Sequence, residues 1–177
     1  MPLDLSAMNQ IAPTLLSGTE LSPLDTLVQE IANTLAANPA PEPLSAETST
    51  RERFMELLVL SLANMYGKTP VPVAPFSRAI MRTVTEAMDD NDAGAFTSRA
   101  DDWIRLEGLV RVQEGQKNYV LNRMAMAVLS TPTAQGTVGE VMERIMRAYT
   151  ETGPSLALRH LTRQFGAYFM TRLGRGG

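Results

Sequence analysis

The stretch Trp103-Ile104-Arg105-Leu106-Glu107-Gly108-Leu109-Val110-Arg111-Val112 changes its hydrophobic period in mid-course. Up to Leu106 the apolar residues recur at helical spacing, and Gly108 then interrupts the pattern. Leu109–Val112 and Asn118-Tyr119-Val120-Leu121 are two β-prone runs. The polar Gln113-Glu114-Gly115-Gln116-Lys117 joins them, which predicts a hairpin near residues 109–121. A helix feeding directly into a hairpin is the feature around which the rest of the chain is read.

Upstream, the signals are helical. Asp89-Asp90-Asn91-Asp92 forms a turn able to cap the helix that leads to Trp103, over roughly residues 93–107. Before it, Ile80, Val84, Ala87 and Met88 mark a shorter helix. Thr69-Pro70-Val71-Pro72-Val73-Ala74-Pro75 is extended, because each proline disfavours helix at the residue before it. Ser49 and Glu52 make a capping-box pattern that opens a helix with Phe54, Leu57, Leu58, Ser61, Leu62 and Met65 on one face. The expected core includes Phe54, Leu58, Leu62, Ile80, Val84, Phe96, Trp103 and Ile104.

Downstream of Asn122 a short helix carries Met124, Val128 and Leu129. Thr137 and Glu140 form a second capping-box pattern, opening a helix with Val138, Val141, Met142, Ile145 and Tyr149 inward. Gly153-Pro154 ends it, and a last helix follows with Leu158, Leu161, Phe165, Tyr168 and Phe169 on one face.

Charge divides the chain. Residues 1–50 hold six acids and no cation, whereas residues 51–177 sum to +3. Asn38-Pro39-Ala40-Pro41-Glu42-Pro43 lies between them and favours an extended linker. The expected organisation is a detachable acidic arm (1–43), a main domain (44–131) and a C-terminal helical pair (132–177). Within the arm, Ser22 caps a helix with Pro23 at its first position and a stripe of Leu24, Leu27, Val28, Ile31 and Leu35. That stripe must be covered, by the chain's own domain or by a partner.

Three helices, a hairpin and a further helix resemble a winged helix, over about residues 51–131. The segment Trp103–Val110, a polar tip and Tyr119-Val120-Leu121 look like the third helix and wing of that superfamily; Asn122 stands where threonine is frequent. The fold expected is therefore mainly α: a winged-helix-like core with one β-hairpin, an N-terminal helical arm and a C-terminal helix pair.

The resemblance implies that the third helix enters DNA, and the residues can be tested against that. With Phe96, Ala100, Trp103 and Ile104 inward, the outward side carries Thr97, Ser98, Asp101, Asp102 and Arg105, a net charge of −1. DNA presents about one negative charge per 1.7 Å of axis, so this face is ill suited to it. Any nucleic-acid contacts fall to Arg99, Arg105, Arg111 and Lys117. On the last helix Arg159, Arg163 and His160 are read as lying opposite the apolar face. Together with Phe165 and Phe169 they form the candidate partner or oligomer surface, since winged-helix regulators commonly dimerise through flanking helices. The helix is read first as core-packed with a solvated charged face, then as that contact surface, and least as a basic amphipathic helix on an anionic membrane surface.

Chemistry is poorly provided for. The chain of 177 residues has no cysteine and one histidine, which excludes thiolate catalysis, disulfides and a His₂ metal site within one chain. No nucleotide-binding glycine motif is present, and Asp89, Asp90 and Asp92 lack EF-hand spacing. No cofactor, metal or small-molecule substrate is implied. The net charge of −3 carries no whole-protein signature of nucleic-acid binding. The residues after Met1 lack a basic leader pattern, and the longest aliphatic run, Leu57–Ala63, is too short to span a bilayer, so a cytoplasmic location is expected. The function expected is non-enzymatic: a regulatory or interaction protein working through protein contacts or self-association, with DNA-binding regulation as the alternative.

Overall fold

The computed structural model describes residues 22–111 and 118–176. Among them are seven helices and two short hairpins, a mainly α fold. Helix α1 spans Pro23–Ala37, α2 Thr50–Lys68, α3 Arg78–Val84 and α4 Asp90–Leu106. Strands β1 (Val110–Arg111) and β2 (Val120–Leu121) follow, then α5 (Arg123–Leu129). A second hairpin, β3 (Pro132–Thr133) and β4 (Gly136–Thr137), leads into α6 (Val138–Glu151) and α7 (Leu156–Gly176).

Local chemistry sets the helix starts. Ser22, Ser49, Ser77, Asp89, Asn122 and Thr137 are all extended residues whose side chains accept a backbone N–H from the first turn of the helix that follows. At Ser49/Glu52 and Thr137/Glu140 the exchange is reciprocal, a complete capping box. Helix α2 is the axis of the molecule. Every residue from Glu56 to Met65 is buried, so it is enclosed on all sides rather than along one stripe. Helices α6 and α7 pack along it, and Gly166 permits the close approach of α7, since a Cβ there would lie 2.7 Å from the Met55 carbonyl oxygen.

In the main domain β1 pairs antiparallel with β2, Val110 opposite Leu121 and Arg111 opposite Val120. Val73, in the extended proline-containing segment, bridges Tyr119 through two backbone hydrogen bonds of 2.8 and 3.0 Å. The segment between α2 and α3 thus lies beside the hairpin as a third extended element.

Three expectations change. The single hairpin becomes two: the Thr133 hydroxyl donates to the Gly136 carbonyl and accepts from the Gln135 N–H, while Gly136 takes φ +102°, closing a tight turn before α6. The acidic arm is not a separate body over its described part. Val28 and Ile31 of α1 are fully buried in the common core, against α6 and α7. The linker is pinned as well: Arg159 Nε donates to the Glu42 carbonyl, and Arg53 donates to the carbonyls of Ser45 and Thr48. Phe54 and Trp103 pack on the core but are only half-buried.

Candidate functional site

The outward face of α4 carries the residues the sequence places there. Thr97, Ser98 and Asp102 are exposed, Asp101 is half-buried, and Phe96, Ala100 and Ile104 are fully buried behind them. Arg105 is paired with both carboxylates of this face. Its Nε lies 3.3 Å from Asp101 Oδ2 and its Nη2 2.5 Å from Asp102 Oδ1. Tyr119 on the hairpin donates its hydroxyl to Asp101 at 3.4 Å. Burial, and then the Asp101 carboxylate, raise the pKa of that phenol, which keeps it a neutral donor. The face is therefore a carboxylate pair with its own counter-ion, and it ends in Leu106, 85% exposed. Beside it Ala74, Pro75 and Phe76 wall a cleft of about 330 Å³, which Thr97, Ser98, Asp101 and Asp102 close from the other side.

The remaining nucleic-acid candidates are Arg99, Arg111 and Lys117. Arg99 is exposed and lines a different cleft, with Arg53, Asp89 and Asp92. Arg111 is exposed at the end of β1, and Lys117 lies outside the described residues.

The expected partner surface on the last helix is a correction. Arg159 is 1% exposed, and Phe165 and Phe169 are fully buried. The Arg163 side chain is 14% exposed. Both arginines face α2 instead of solvent. Arg159 Nη1 lies 2.7 Å from Glu56 Oε1, and Arg163 Nε 2.8 Å from Glu56 Oε2. Arg163 Nη1 reaches Glu52 at 3.1 Å, and Arg159 Nη2 reaches Glu86 at 2.8 Å. Tyr149 donates to Glu56 Oε1 at 2.8 Å. Glu56 is thereby saturated by three donors, and Arg53 beside it donates to four backbone carbonyls. A carboxylate buried this deeply is tolerable only when so paired. The effect of the cluster is to tie α2, α6, α7 and the linker together. Of the polar residues read as outward on α7, His160 alone is exposed.

The sequence carried one signal for this cluster. Glu52 and Glu56 are spaced i, i+4 on one helix, and Arg159 and Arg163 are spaced i, i+4 on another. Two complementary charge pairs at the same spacing can lie side by side where helices pack antiparallel.

No group of three His, Cys, Asp or Glu able to hold a metal occurs among the described residues, and no helix there is long and apolar enough to cross a membrane. Compared with known proteins, the chain matches no protein family, no curated protein and no solved structure.

Proposed function

We propose that the chain is a winged-helix-like interaction module whose third core helix, α4, contacts a protein partner with a basic surface. The order α2, extended segment, α3, α4, β1, β2 supports the winged-helix reading, as does the Val73–Tyr119 bridge that sets the extended segment beside the wing. The observation that carries the functional reading is the capture of Arg105 by Asp101 and Asp102. It cancels the one cation centred on the outward face. From Asp89 to Glu107 the chain holds six carboxylates and two guanidiniums, so the helix presents net negative charge. DNA affinity comes chiefly from cations that neutralise phosphates, and here carboxylates would meet them. Leu106 and the Phe76 cleft add apolar surface of the kind a protein partner covers.

The test is a fluorescein-labelled peptide carrying Arg, Lys and Leu on one helical face, followed by anisotropy at low salt. Wild type binds it, and Asp101→Asn with Asp102→Asn weakens binding by about tenfold, two surface charge contacts of up to about 1 kcal/mol each. Equal affinity in the two proteins overturns the proposal. Self-association is the second reading, favoured by Leu106 standing 85% exposed at the end of the face; light scattering that shows dimers lost in Leu106→Gln would assign the face to a second copy.

A further inference from the structure

On the far side of α4 from its acidic face, Trp103 helps to wall a cleft of about 630 Å³ between the start of α2 and the end of α7. Phe54, Met55, Ala167 and Met170 supply the rest of its apolar lining, and Thr50, Thr171 and Arg51 the polar part. The volume is in the range of small-molecule sites, which are mostly apolar with a few polar groups that fix orientation. Phe54 and Trp103 are half-buried, with ring centroids 5.6 Å apart and planes tilted by 37°. Phe54 is backed by Phe96 at 4.6 Å, which holds it in place. An open pair of tilted rings offers both a face and an edge to a third ring. Met55 and Met170 flank it with polarizable thioethers that favour aromatic contacts.

Charge then narrows the ligand. Arg51 is the only ionisable residue of the lining, it is exposed, and it makes no ion pair among the described residues. No carboxylate lines the cleft. We infer that the cleft between α2, α4 and α7 binds a planar aromatic carboxylate, its rings against Phe54 and Trp103 and its anion on Arg51. This site is independent of the α4 contact face, because Asp101 and Asp102 point away from it into another cleft.

The chain has a single tryptophan, so quenching of its fluorescence reports on this cleft alone. The probe pair is 2-naphthoate and its neutral analogue 2-naphthalenemethanol, titrated into the full-length protein. Wild type gives saturable quenching with both. It prefers the carboxylate by about threefold to fivefold, the size of a partly exposed ion pair. Arg51→Gln, a change at an exposed side chain, removes that preference while keeping the affinity for the alcohol. Ala167→Phe, which fills the cleft, abolishes binding of both, with far-ultraviolet circular dichroism showing that the fold is kept. Non-saturable quenching, equal affinities in wild type, or an unchanged preference in Arg51→Gln overturns the proposal. So does Trp103 emission that shifts to the blue with protein concentration alone, which would give the cleft to a second copy of the chain.

Discussion

The guanidinium of Arg159 lies 2.7 Å from the Glu56 carboxylate at a point where the two side chains are 1% and 0% exposed. This pair joins the second helix of the described fold to the last one, 103 residues later. Removing Arg159 leaves the buried Glu56 with Arg163 and the Tyr149 hydroxyl but one guanidinium short. Arg159→Met is therefore expected to destabilise the protein by about 1–3 kcal/mol. The neighbouring His160→Met, at an exposed site, should change stability by less than about 0.5 kcal/mol. Urea unfolding of both variants checks this, and equal costs would mean that Arg159 is a surface residue after all.

Tyr149 gives the same cluster a pH signature. Burial, then the charge of Glu56, raise its phenol well above the ordinary value near 10. Above that pH the unfolded chain releases the proton while the folded one keeps it. Stability from this group is complete below about pH 10 and is lost as pH rises toward the folded value. The urea midpoint should fall between pH 9 and 11, and Tyr149→Phe should flatten the fall. A smaller slope remains in that variant from Tyr119, whose phenol is raised in the same direction. An unchanged alkaline slope in Tyr149→Phe would contradict the assignment.

Helix α1 belongs to the common core, with Ile31 fully buried. Ile31→Ala is expected to lower the stability of the whole protein by about 2–5 kcal/mol, as for other large-to-small core changes. The check is the main cooperative transition in circular dichroism. A variant that keeps the wild-type midpoint, with loss of a small early phase, would restore the arm as an independent unit.

Much of the fold was legible because it is written locally. The caps at Ser22, Ser49, Asp89, Asn122 and Thr137, the break at Gly153-Pro154 and the change of period after Gly108 all act within a few residues. What was not legible depends on contacts distant in sequence. Helical periodicity places Arg159 and Arg163 off the apolar stripe of α7, and polarity then suggests solvent. Their partners, Glu52 and Glu56, lie about a hundred residues upstream, and only the packing of α7 along α2 shows that this side is enclosed. The turn at Thr133–Gly136 is a two-residue strand pair, too short for a period to register. The neutralisation of Arg105 was half visible. Asp101 and Asp102 sit one helical turn before it, but the sequence alone could not say which way the guanidinium turns.

The charge on the α4 face decides between a protein partner and DNA. The most direct measurement is an electrophoretic mobility shift at low salt, with wild type and the Asp101→Asn, Asp102→Asn double variant on a mixed-sequence duplex. The variant frees Arg105 and removes two repelling charges, so it is the protein best placed to bind if this face reads DNA. No shift by either protein is the predicted result. A salt-sensitive shift by wild type, strengthened in the double variant and lost when Arg105 is also changed to Gln, would contradict the account and make α4 a DNA-reading helix.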